Sequence, residues 1–306
     1  MSESGQPERA EPWPDEEPYG ARPEPNRLRK SGREGIGPDG DMVPTAEQRY
    51  YVRATAGVGV RPGGANNSPK RLAEFGQSIR GIVFDMGDVL YDATVWRRWL
   101  LRVLNRMGLH THYASFYRVW DRTYLEAVHR GERDYDEAFC DFPRAPGLAD
   151  PQFEDIGAAG RRPRREIEAR AGAFPGVRDT IAYLSERGLR LGVLSDSEQT
   201  AERLTERLGT FGMEGLFQAV VSSRDLCRTK PDPACYLAAL DALELTARET
   251  AFVGHDTDEI AGARAMGMPT IAFNYEPTVV ADLYVEQFEM LRSFVLDVSR
   301  SVISAA

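Results

Sequence analysis

From residue 82 onward, short apolar runs alternate with amphipathic segments that end in glycine, a pattern that predicts strand and helix units on a parallel sheet. Candidate strands fall at 81–84, 190–194, 219–221, 251–253 and 270–273. Each is too short for a buried helix and is followed by polar residues, where strand tips belong. Between them, helical spacing covers 177–187, 198–208 and 258–266, and Gly188, Gly209 and Gly267 stand where helices terminate. Asp196 or Ser197 is expected to cap the second of these helices. The alternation breaks between 95 and 171, where only helical periodicity is seen, at 95–107, 113–129, 134–142 and 164–170, with a loop expected over 143–163. This predicts a helical subdomain inserted after the first strand. Tyr113, Phe116, Tyr117, Trp120 and Tyr124 follow helical spacing within it and read as packing between its helices. Residues 1–76 hold ten of the 19 prolines and no sustained period, so they bury too little to offset chain entropy and are expected to be disordered. The chain thus divides into a leading segment (1–76), an α/β core (77–94 and 172–302) and a helical insert (95–171).

Composition narrows the partners. A formal net charge of −9 over 306 residues argues against general affinity for nucleic acid or anionic membrane. The leading 80 residues carry 12 acidic and 12 basic side chains, so they are not a basic nucleic-acid arm. No apolar run approaches the roughly 18 residues of a membrane span, and the polar start lacks a signal peptide's basic and apolar regions, so a cytoplasmic protein is expected. Cys140, Cys227 and Cys235 show neither CxxC spacing nor a surrounding histidine cluster and read as reduced thiols.

In an open parallel sheet, ligands bind beyond the carboxyl ends of the strands, so the residues just after each strand belong together. They are Asp85-Met86-Gly87-Asp88 after the first, Ser195-Asp196-Ser197 after the second, Lys230-Pro231-Asp232-Pro233 before the helix that follows the third, and His255-Asp256-Thr257-Asp258-Glu259 after the fourth. Carboxylates, a hydroxyl and a lysine at one sheet edge are what phosphoryl transfer to a carboxylate nucleophile requires. An acidic cluster binds Mg2+, the cation offsets repulsion between nucleophile and phosphate, and lysine and hydroxyl hold the transferring oxygens.

These motifs, in this order and spacing, resemble those of the haloacid dehalogenase-like (HAD) hydrolase superfamily. The resemblance covers about residues 78–295 and rests on Ile82-Val83-Phe84 before Asp85, the Val89-Leu90 pair, Ser195, Lys-Pro-Asp-Pro at 230–233 followed by Tyr236, and Phe252-Val253-Gly254 leading into Ala261-Gly262-Ala263 and Gly267. It implies a Rossmann-like three-layer α/β core and makes the helical insert a cap that closes over the substrate. It also implies that Asp85 is the nucleophile, becoming an aspartyl phosphate and binding Mg2+, with the Gly87 carbonyl as a second metal ligand. Ser195, Asp196 and Lys230 would form the phosphate-binding group. Two departures follow. Gly87 occupies the position of the family's second aspartate, which protonates the leaving oxygen, so that role is unfilled and activated phosphates are expected to be the better substrates. His255 stands where the family carries a metal-binding aspartate; because Mg2+ prefers oxygen, Asp256 is expected to be the ligand, with Glu259 in the outer shell, and Mn2+ or another nitrogen-tolerant metal would be preferred if His255 is itself a ligand. The leading reading is a metal-dependent phosphatase of a small phosphorylated metabolite. A dehalogenase, needing no metal, is disfavoured by the acidic fourth motif, and a non-catalytic binding protein that kept the fold is the reading to which Gly87 and His255 point. Substrate identity and oligomeric state are not written in these motifs.

Overall fold

The run Gly-Ile-Val-Phe at Gly81–Phe84 is buried at every position, as a strand covered on both faces must be. In the computed structural model, which describes residues 75, 78–93, 95, 120–141, 169, 171–276 and 278–294, this run is strand β1. It is joined by β2 (Arg190–Ser195), β3 (Ala219–Ser222), β4 (Thr250–Gly254), β5 (Thr270–Phe273) and β6 (Leu283–Val285) in one six-stranded sheet, ordered β3-β2-β1-β4-β5-β6 and parallel at every pairing. The first crossovers build outward from β1 through β2 to β3. The chain then returns to the other side of β1 and builds outward again, so the order reverses between β1 and β4. That is the switch point where an open parallel sheet leaves a crevice at its carboxyl edge.

Alternate residues of the central strands face opposite layers. Ile82 and Phe84 of β1 pack with Leu191 and Val193 against helices α3 (Val177–Glu186) and α4 (Ala201–Thr210). Val83, Leu194 and Phe252 pack on the other face, against α6 (Pro233–Leu243) and α7 (Thr257–Ala265). The three-layer α/β core is therefore as expected. One helix start moved: α4 begins at Ala201 with Thr200 as its cap, and Gly209 lies inside it. The physical reason is that the candidate caps are engaged elsewhere, since Ser197 Oγ accepts the Gln199 amide (3.1 Å) and Asp196 Oδ1 accepts the Lys230 amide (3.2 Å). Strand β6 was not expected either; it is three residues long with a half-buried Tyr284 at its centre.

Within the expected helical insert, the described stretch is helical. A π-helical turn, Trp120–Leu125, leads into α1 (Glu126–His129), and α2 (Tyr135–Asp141) follows, with Leu125, Val128, Ala138 and Phe139 buried. This stretch touches the core where Ser223 Oγ, in the short helix α5 (Ser223–Leu226), donates to the His129 carbonyl at 2.8 Å. The expectations for residues 1–74, for the helices at 95–107 and 164–170 apart from single positions, for the loop 143–163, and for Tyr113, Phe116 and Tyr117 lie outside the described residues. Among the described residues, no helix is long and apolar enough to cross a membrane.

Candidate active site

Asp85 is the first residue past β1, and its amide still donates to the Val253 carbonyl at 2.9 Å, so the ladder fixes its backbone at the sheet tip. The chain then turns tightly: Leu90 N donates to the Met86 carbonyl and Asp88 N to the Tyr91 carbonyl. Asp88 sits in the left-handed region (φ 58°), a conformation that aspartate tolerates better than most residues. Its Oδ1 accepts the Ala93 amide at 3.2 Å, which ties this carboxylate into the turn. Asn274, just past the end of β5, donates from Nδ2 to the Asp88 carbonyl at 2.9 Å and clamps the turn from two strands away.

Lys230 reaches the same tip from the loop after α5. Its side chain is wholly buried, and Nζ lies 2.6 Å from Asp85 Oδ1, 2.9 Å from Glu259 Oε1 and 3.2 Å from the Leu194 carbonyl, the residue before Ser195. Two neighbours hold it there. Asp196 Oδ1 accepts its backbone amide, and the Phe252 ring lies 5.9 Å from Nζ. Tyr236 in turn donates from Oη to the Glu259 carbonyl at 2.8 Å, joining the Lys-Pro-Asp-Pro segment to the first turn of α7. Gly262 makes this approach possible. A Cβ there would stand 2.5 Å from Tyr236 Oη and 2.8 Å from Pro231 Cβ.

His255 and Glu259 complete the group. His255 Nδ1 lies 3.2 Å from Asp85 Oδ2 and 4.0 Å from Glu259 Oε2, near enough to pair without the alignment of a hydrogen bond. Each carboxylate is thus divided, one oxygen toward the lysine and the other toward the imidazole. The charges set one another. Burial would raise Asp85, but Lys230 and His255 overcome it and hold the carboxyl down at about 2. Burial, reinforced by the Asp85 charge, pushes Glu259 up to about 8 against the pull of Lys230 and His255. Burial opposes charge on His255, yet Asp85, Glu259 and Asp88 raise it to about 9. Asp196 is raised to about 6 by burial, with Lys230 pulling the other way.

A donor set for a cation is present. One ligand atom from each of Asp85, His255 and Glu259 falls within 4.8 Å of the others. Of these, His255 Nδ1 and Glu259 Oε2 are buried with no hydrogen-bond partner, a costly state that a bound cation would relieve. The residues present therefore fit a divalent ion.

The structure brings Asp85, Lys230 and Glu259 together and places Ser195, buried, at the adjacent tip of β2. It places Asp256 differently from the expectation. Asp256 is the N-cap of α7, with Oδ1 accepting the amides of Asp258 (2.8 Å) and Glu259 (3.2 Å), while Glu259, one turn beyond His255, faces Asp85. Asp196 lies under the Lys230 backbone, and Gly87 forms a bridge to Tyr91. Sequence reasoning passed over Asn274, Ser223 and the Leu194 carbonyl, for which no local pattern exists.

Comparison with known proteins decides the family. The model of haloacid dehalogenase-like hydrolases matches residues 79–267. The chain belongs to the haloacid dehalogenase-like hydrolase family. Among its curated relatives, the phosphoglycolate phosphatase of Yersinia pestis is 26% identical over 205 residues, covering 65% of this chain and 82% of the relative. The glyceraldehyde 3-phosphate phosphatase of Methanocaldococcus jannaschii is 26% identical over 199 residues, covering 63% and 84%. Among solved structures, a HAD-superfamily hydrolase of subfamily IA from Geobacter sulfurreducens superposes with a TM-score of 0.52 at 20% identity, covering 71% of this chain and 97% of that one, and the L-2-haloacid dehalogenase of Xanthobacter autotrophicus with 0.51 at 19%, covering 74% and 100%. At that identity the likeness is one of fold.

Proposed function

We propose that this HAD-family hydrolase is a phosphatase that acts on a small phosphorylated metabolite through a covalent phosphoryl group on Asp85. The observation that carries the reading is the state of Asp85. It is buried at the switch-point edge of the sheet yet held ionised by Lys230 at 2.6 Å, the condition a carboxylate nucleophile needs. A carboxylate oxygen of Asp85 attacks phosphorus and the ester P–O bond breaks, releasing the alcohol, which takes its proton from solvent. Water then attacks the same phosphorus, the bond to Asp85 breaks, and inorganic phosphate leaves. Lys230 screens the negative charge that gathers at the nucleophile, and Ser195 at the tip of β2 donates to a phosphate oxygen. Asp196, itself an anion that would repel phosphate, positions the Lys230 backbone. Asp85, Glu259 and His255 would hold a divalent cation, with the Gly87 carbonyl as a further ligand. When bound, that cation supplies the positive charge that lets an anionic nucleophile approach an anionic phosphate. The helical segment resting on Ser223 belongs to a cap that closes over the substrate.

The names of the two phosphatase relatives support a small phosphate ester as substrate. Gly87 narrows the class. With no side chain there to protonate the leaving oxygen, and with the Asp88 carboxylate tied to the Ala93 amide, aryl, acyl and anomeric phosphates should turn over faster than simple alkyl phosphates. The test is a phosphate-release screen over a metabolite panel with divalent cations, run beside Asp85→Asn. Release in the wild type that disappears in the variant is expected. Silence of the wild type across all cations, or release that survives Asp85→Asn, overturns the reading.

A further inference from the structure

We infer that the cation site takes a first-row transition dication of the Mn2+ or Co2+ class in preference to Mg2+, with the His255 imidazole nitrogen as a ligand beside Asp85 and Glu259; the inference rests on the phosphatase site proposed above. Lys230 Nζ takes Asp85 Oδ1 and Glu259 Oε1. The oxygens on the other side, Asp85 Oδ2 and Glu259 Oε2, are the ones that His255 Nδ1 faces, at 3.2 and 4.0 Å. Two carboxylate oxygens and one ring nitrogen therefore converge on one spot, and Nδ1 and Oε2 are buried there with no hydrogen-bond partner. The backbone that carries His255 is held in place, because the Glu276 amide donates to the His255 carbonyl at 2.9 Å and Thr257 Oγ1 donates to Glu276 Oε2 at 3.0 Å. Asp256, the oxygen donor that the motif order offers, has Oδ1 committed to the helix amides of Asp258 and Glu259. Mg2+ demands near-octahedral oxygen ligation and dehydrates reluctantly, whereas imidazole suits the transition ions. One donor in three is nitrogen at this site, so the discrimination is set by His255.

The experiment uses the metal-stripped full-length protein, titrated calorimetrically with MnCl2, CoCl2 and MgCl2. Pulsed EPR of the Mn2+ complex, with and without 15N-histidine labelling, then reads the ligand nitrogen directly. Mn2+ and Co2+ are expected to bind roughly tenfold or more tightly than Mg2+, and the Mn2+ signal to carry a histidine nitrogen coupling. His255→Asp should abolish that coupling and narrow the preference toward Mg2+. Equal affinity for Mg2+ and Mn2+ in the wild type, a Mn2+ signal with no nitrogen coupling, a coupling that survives His255→Asp, or no bound cation at all overturns the inference. The wild-type spectrum decides the point even where the variant fails to fold. Nitrogen-coupled Mn2+ in a protein that releases no phosphate removes the phosphatase reading alone; an active phosphatase that prefers Mg2+ removes this inference alone.

Discussion

Replacing Lys230 with methionine isolates the charge at the centre of the site. Methionine retains most of the apolar stem that passes the Phe252 ring but removes the ammonium that lies 2.6 Å from Asp85 and 2.9 Å from Glu259. Both carboxylates are then left buried with His255 as their remaining counter-charge, and breaking a buried pair in this way costs about 3–5 kcal/mol. The loss should depend on pH with a definite sign. In the wild type, Asp85 sits below its ordinary value, so its contribution is present above about 3.8 and is lost only as pH falls through about 2. Glu259 sits above its ordinary value, so the folded state is favoured below about 4.5 and loses that advantage as pH rises through about 8. Without Lys230, only His255 still opposes the burial that raises both carboxyls, so both shift upward and the variant should lose stability on raising the pH over a range where Asp85 now costs nothing. Urea unfolding of metal-stripped wild type and Lys230→Met at pH 5 and pH 8 measures this. The gap should be near the full about 3–5 kcal/mol at pH 8 and clearly smaller at pH 5. A gap below about 1 kcal/mol at pH 8, the size of an exposed ion pair, or one equal at both pH values, would refute the electrostatic account.

Further predictions concern individual positions. Gly87→Asp should supply the missing proton donor and raise turnover of glycerol phosphate relative to p-nitrophenyl phosphate, by about 10²-fold or more. A Cβ at Gly87 would stand 3.2 Å from Ala93 Cβ, so the change is best made with Ala93→Gly, and an unchanged substrate ratio in a folded double variant counts against the role given to this position. The same ratio in the wild type should favour the aryl ester; comparable rates on both esters contradict the reading of Gly87. Gly262→Ala should destabilise the core by about 1–3 kcal/mol through overpacking against Tyr236 and Pro231, measured by thermal unfolding.

How much of this was legible in the sequence varied with the range of the interaction. Strands β1 to β5 were visible because each is an apolar run bounded by polar tips, whereas β6 has only Leu283 and Val285 buried and no such contrast. The helix α7 was placed within one residue, since Gly267 adopts φ 81° just past its end. The start of α4 was misplaced because Ser197 and Asp196 are recruited by Gln199 and by Lys230, 34 residues away, and a cap's competitors cannot be read locally. The positions of Asp85, Ser195 and Lys230 at the sheet edge followed from strand ends and motif order. That Glu259 lies beside Asp85 while Asp256 caps α7 did not, because it depends on which carboxylate turns back to its own helix. Asn274 and Ser223 act across the fold, on Asp88 and on His129, and only the packed structure brings those pairs together.

The most direct measurement is of the covalent step itself. Wild-type protein mixed with a substrate from the phosphate-release screen and quenched in acid within the first turnover should yield a peptide containing residues 81–90 that is heavier by one phosphoryl group, with the label on Asp85. The mass shift should vanish once the substrate is exhausted and the covalent group has been hydrolysed, and be absent from Asp85→Asn. Active wild-type protein that never carries phosphate on this peptide, or carries it on another residue, contradicts the account.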